Sequence, residues 1–95
     1  MNGHLKLYCP LRLSQEVGEK ACELFQGCTS YKATGWWEGK AEPVDVVEVY
    51  FTRLPSGYGK VSKLVRFFTA YLLGEGEEAA FFVLNGEAKC VTSEE

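Results

Sequence analysis

The sequence predicts one α+β domain, an antiparallel sheet with two helices packed on one face. Three observations predict it. Two stretches carry an apolar stripe at helical spacing, four have strand-like alternation or composition, and they follow one another as β-α-β-β-α-β. The 95 residues suffice for one core and not for two, so residues 1–95 are read as a single domain. Apolar residues make up 46% and aromatics 14%, enough to pack that core and too much for a disordered chain.

The first strand is read at His4 to Tyr8. Leu5 and Leu7 lie on one side, His4, Lys6 and Tyr8 on the other, and Pro10 stops the run. Helix one is expected from Ser14 to Gln26, with Ser14 as N-cap and Glu16 and Glu19 in the first turns, where the helix dipole favours anions. Val17, Ala21, Leu24 and Phe25 form its apolar stripe, and Gly27 stands where a left-handed cap belongs. Ser30 to Glu38 has period two: Tyr31, Ala33, Gly35 and Trp37 face one way, Lys32, Thr34, Trp36 and Glu38 the other. Gly39 to Pro43 reads as the turn, and Val44 to Thr52, with four valines, a Tyr and a Phe, as the strongest strand. Its core face is Asp45, Val47, Val49 and Phe51, with Asp45 expected at the wet turn end.

Arg53 to Gly59 reads as a loop from its Pro and two Gly. Helix two follows from Tyr58 to Leu73, with Val61, Leu64, Val65, Phe68 and Leu72 inward and Lys60, Lys63 and Arg66 on the solvated side. The last strand of the pattern is Ala79 to Leu84. Asn85-Gly86 is a turn dipeptide, so Ala88 to Val91 is expected as a short extra C-terminal strand, and Thr92 to Glu95 as a frayed tail. The order is that of a ferredoxin-like sandwich, with strands one and three central and strand two at an edge.

The formal net charge of −3 disfavours a general nucleic-acid binder, which gains affinity from phosphate contacts. No apolar run approaches the roughly 20 residues that span a bilayer, and no signal peptide is apparent, so a cytoplasmic protein is expected. The four cysteines have no metal-binding spacing and read as free thiols. No catalytic constellation, metal site or cofactor motif is found.

Two surfaces stand out. The first is the helix-free sheet face and the strand-two edge, carrying Lys6, Tyr8, Trp36, Glu48 and Tyr50. Aromatic rings there suit a planar ligand or a partner. The second is the loop into helix two, where Arg53, Gly57, Gly59, Lys60 and Lys63 would offer backbone N–H groups and cations to an anion. It lacks the spacing of a phosphate-binding loop, with Leu54 where that motif has Gly and Val61 where it has Ser or Thr. Leu7-Tyr8-Cys9-Pro10-Leu11 and the element order resemble the RNA-recognition motif. The resemblance implies single-stranded RNA binding on the open face, yet the third-strand motif is replaced by Val46-Val47-Glu48-Val49-Tyr50-Phe51, which puts a carboxylate there.

Adjacent tryptophans point to opposite faces of one strand. With Trp37 assigned beneath the helices, Trp36 is left on the open face or edge as a hook for a partner. The expected function is a non-enzymatic interaction module that self-associates, a dimer first, through the open face or the strand-two edge. A regulatory role, or a viral or mobile-element accessory role against a protein partner, suits its size and charge. The alternatives are a nucleotide-like ligand on the aromatic face, with Lys60 or Lys63 at its phosphate, and an RNA-binding domain with degenerate motifs.

Overall fold

The computed structural model of the chain describes residues 2–93. The elements are β1 (Asn2–Pro10), a single 3-10 turn (Leu11–Leu13), α1 (Ser14–Phe25), β2 (Thr29–Trp37), β3 (Lys40–Thr52), α2 (Pro55–Gly74), β4 (Ala79–Leu84) and β5 (Glu87–Thr92). All strand pairs are antiparallel, in the order β2-β3-β1-β4-β5. This is the ferredoxin-like arrangement with β5 added beside β4. Both ends of the sheet are open: β5 is exposed along its whole length, and β2 nearly so.

Alternation sets the two faces. Leu5, Leu7 and Cys9 on β1 pair with Val49, Val47 and Asp45 on β3, and the apolar members of this set point at the helices and are buried. Val17 and Ala21 of α1, Val61, Leu64, Phe68 and Leu72 of α2, and Ala80 and Phe82 of β4 complete the core. Phe68 is fully buried and meets Phe82 edge-on, with ring centres 6.4 Å apart. Val46 lies on the opposite, helix-free face and is 1% exposed, because its cross-strand neighbours are Tyr8 on one side and Tyr31 on the other.

Five local expectations are corrected. The β2–β3 turn is not Gly39 to Pro43 but the two residues Glu38 and Gly39, both at positive φ (51° and 82°), as a tight hairpin requires. Pro43 therefore lies inside β3, opposite Thr34. β1 ends at Pro10 opposite Val44, so on that side β3 has no neighbour to miss a proline N–H.

Asp45 is then mid-strand rather than at a turn. It accepts the Ser14 hydroxyl at 2.6 Å and the Lys32 ammonium at 3.3 Å. Ser14 accordingly serves Asp45 rather than capping α1, which continues directly from the 3-10 turn. The left-handed residue that closes α1 is Gln26 (φ 65°), whose N–H donates to the Cys22 carbonyl at 2.8 Å, rather than Gly27. Thr92 pairs with Ala79 inside β5, and the Ser93 N–H donates to the Glu78 carbonyl, so the frayed tail does not begin at Thr92. Glu94 and Glu95 lie outside the described residues.

Candidate functional site

The helix-free face carries two chemically different groups at its two ends. At one end, a diagonal chain crosses three strands. The His4 ring stacks on Tyr50 with centres 4.4 Å apart and planes 9° from parallel. His4 Nε2, buried without a hydrogen-bond partner, lies 3.5 Å from Glu48 Oε1, a charge contact once the ring is protonated. The other carboxylate oxygen, Glu48 Oε2, accepts the Tyr31 hydroxyl. That bond, with His4 and Lys6 behind it, holds the Glu48 carboxyl below the usual range against the desolvation that opposes it. The same bond, with smaller help from desolvation and the carboxylate's charge, pushes the Tyr31 hydroxyl up to about 12. Lys6 stands directly opposite Glu48 in the β1–β3 ladder.

At the other end, the sheet has a notch. β1 stops at Pro10, while the β2–β3 hairpin continues four residues farther, to Lys40, and β4 begins only at Ala79. The gap is a cleft of about 480 Å³. Its apolar lining includes Tyr8, Trp37, Val44 and Phe81, and Trp37 and Phe81 meet with ring centres 5.9 Å apart. Tyr8 and Phe81 are direct cross-strand partners. Carboxylates also line the cleft, Glu38 and Glu42 from the hairpin and Glu77 and Glu78 from the α2–β4 turn, against one lining cation among the described residues, Lys40. Arg12 pairs with Glu77 at 2.9 Å and donates to the Glu75 carbonyl at 3.1 Å, which straps that turn in place. The cleft thus offers stacking surfaces inside an acidic rim, which suits a planar ligand that is neutral or cationic and repels a phosphate.

The structure divides the sequence-predicted residues among separate places. Lys6, Tyr8, Glu48 and Tyr50 all lie on the open face, but Tyr8 belongs to the notch and Tyr50 to the His4–Glu48 end. Those two residues are four strand positions apart in the ladder, roughly 13 Å. The tryptophans exchange their expected roles. Trp37 shares the open face with Tyr8, while Trp36 lies on the helix side of β2, beyond the helices, 72% exposed at the sheet edge.

The anion-loop set is not a loop. Helix α2 begins at Pro55, so Gly57 and Gly59 are helical residues. Gly57 is buried against the backbone of Thr52, where a Cβ would stand 2.0 Å from the carbonyl oxygen. Its glycine is explained by close packing. Arg53, Lys60 and Lys63 are exposed. Lys60 and Lys63 precede Leu72, the α2 residue at the notch, by roughly 18 Å and 14 Å along the axis. They also lie on the helix layer, so a phosphate on them would not reach the aromatic face.

Sequence reasoning missed Trp37, Phe81, Tyr31 and the cleft carboxylates. The available signal was the Glu38-Gly39 dipeptide: a two-residue turn there fixes the register and puts Trp37 on the same face as Tyr8.

No family model matches the chain, and no curated protein matches it in sequence. Among solved structures it is similar to a phage SAM lyase in complex with S-methyl-5′-thioadenosine. The likeness has a TM-score of 0.64 and covers 98% of this chain and 91% of that one, at 10% identity. It bears on the fold, which the two chains share nearly end to end. No helix among the described residues is long and apolar enough to cross a membrane.

Proposed function

We propose that the domain binds a small nucleoside-type ligand in the notch, with the base stacked against Trp37 and Phe81 and an uncharged or cationic 5′ substituent facing the carboxylates. The observation that carries this reading is the meeting of Trp37 and Phe81 over an acidic cleft at the truncated end of β1. A purine stacked on an aromatic side chain gains about 1–3 kcal/mol. A sulfonium or ammonium over an indole adds about 0.5–2 kcal/mol. The solved lyase of similar fold holds S-methyl-5′-thioadenosine, a ligand of this class. The acidic rim replaces the expected nucleotide phosphate with a neutral or positive group. The reading is of binding in the cytoplasm, where the four cysteines remain thiols.

Thermal-shift measurement with S-methyl-5′-thioadenosine, S-adenosylmethionine and adenosine monophosphate tests it. The first two are expected to raise the melting temperature and the phosphate not to. An equal shift with the phosphate, or no shift with any of the three, would overturn the reading. Chromatography of the S-adenosylmethionine mixture measures turnover. Release of S-methyl-5′-thioadenosine above the protein-free rate would make the domain an enzyme as well as a binder.

A second reading, self-association as an interaction module, is favoured by the exposure of Trp36 on an unpaired edge strand. Edge strands with exposed apolar rings pair readily with a second copy. Light scattering should then report a dimer for the natural chain and a monomer for Trp36→Ala. A dimer that survives the substitution unchanged removes β2 as its interface.

A further inference from the structure

Cys22 lies in the closing turns of α1, and Cys28 lies just past its end. The left-handed Gln26 reverses the chain there and sends the following residues back along the helix. Cys28 Sγ comes to 3.9 Å from the Gly18 carbonyl oxygen. Gly18 is one turn before Cys22 on the same helix face, and helical side chains lean toward the N-terminus, so the Cys22 side chain also covers the Gly18 turn. Gly18 has no side chain to occupy that space, and a Cβ built on it would have no atom within 4 Å. The two cysteines thus flank the Gly18 turn, Cys28 through this contact and Cys22 one turn farther along α1. Both cysteines are exposed thiols and line one cleft of about 460 Å³ between α1 and the start of β2. Burial, and then the charge of the neighbouring Cys22 sulfur, hold the Cys28 thiol above its ordinary value.

We propose that Cys22 and Cys28 are a modification site: a dithiol that hydrogen peroxide closes into a disulfide, latching the end of α1 to the start of β2. The Cys22 thiol releases its proton, the thiolate attacks a peroxide oxygen, the O–O bond breaks, and the departing hydroxide takes up that proton as water, giving a sulfenic acid. Cys28 sulfur then attacks Cys22 sulfur, the S–O bond breaks, and the hydroxide leaves with the Cys28 proton as a second water. The two thiols lose two electrons and hydrogen peroxide accepts them. The other cysteines stand apart. Cys9 is buried, with its thiol pushed up to about 12, and Cys90 lies on β5 at the far edge of the sheet. In a reducing compartment the pair rests open, and oxidant closes it.

The test treats the full reduced chain with hydrogen peroxide, then counts free thiols and maps peptides by mass spectrometry without reductant. Free thiols should fall from four to two, with one cross-linked peptide joining Cys22 to Cys28 and reversal by dithiothreitol. Cys22→Ser and Cys28→Ser should each abolish that peptide, and Cys90→Ser should leave it unchanged. Sulfinic acids on separate cysteines with no internal cross-link, or a cross-link running through Cys90 between chains, would overturn the proposal. Because this cleft shares no lining residue with the notch of Trp37 and Phe81, loss of nucleoside binding would leave this result untouched.

Discussion

Trp37 and Phe81 touch although β3 and β1 lie between their strands. Three strand steps of about 4.8 Å would separate the backbones by about 14 Å in a flat sheet. The rings come to 5.9 Å because β1 has ended by then and the projecting hairpin is free to twist over the gap. Phe81 is 40% exposed, so it contributes to the notch more than to the core. Phe81→Ala is therefore expected to weaken nucleoside binding by about 1–3 kcal/mol, roughly fivefold to more than a hundredfold. Its urea midpoint should stay near that of the natural chain. Calorimetric titration beside a urea melt separates the two effects, and a collapse in stability with unchanged affinity would place Phe81 in the core instead.

The His4–Glu48–Tyr31 chain predicts how stability changes with pH. Glu48 and Asp45 both have depressed carboxyls, Glu48 chiefly through Tyr31 and Asp45 chiefly through the Ser14 hydroxyl. Their contribution is complete above the ordinary carboxylate value of about 4 and is lost as pH falls through the lower folded values. Tyr31 has the opposite sign. Its contribution is complete below the ordinary phenol value of about 10 and is lost as pH rises toward its folded value, about 12. Denaturant melts should show a plateau between these limits and a fall on either side. In Glu48→Gln, ultraviolet titration should show the Tyr31 ionisation returning toward about 10. An unmoved ionisation would mean that the carboxylate does not hold that hydroxyl.

Two glycines in the first turns of α2 separate packing from anion binding. Gly57→Ala is expected to cost about 1–3 kcal/mol, since the added methyl meets the Thr52 carbonyl. Gly59→Ala meets nothing within 4 Å and should gain about 0.5–1 kcal/mol from helix propensity. Urea unfolding of both variants gives the comparison. Equal effects would show that the first turn of α2 is not held against β3.

The fold was legible because period-two alternation in β1 and β3, and the apolar stripes of α1 and α2, each demand one buried face. Leu5, Leu7, Val47, Val49 and Phe51 answered that demand. The notch was not legible because it depends on where strands end. Gly39 and Pro43 both resemble turn punctuation, and only the missing β1 neighbour makes Pro43 acceptable inside β3. Shifting the turn to Glu38-Gly39 fixes the β2–β3 register, which assigns Trp37 to the open face. Its meeting with Phe81, more than forty residues away, leaves no local trace. Gly57 misled for a related reason: a glycine required by a close backbone approach looks, in sequence, like one that frees a loop.

The proposed site turns on which tryptophan holds the ligand. Titrating S-methyl-5′-thioadenosine into the natural chain, Trp37→Ala and Trp36→Ala by calorimetry tests it most directly. Saturable binding to the natural chain is expected, with the same affinity in Trp36→Ala and at least a roughly fivefold loss in Trp37→Ala, from the about 1–3 kcal/mol of one stacked ring. Binding that survives Trp37→Ala undiminished, or is absent from the natural chain, would contradict it.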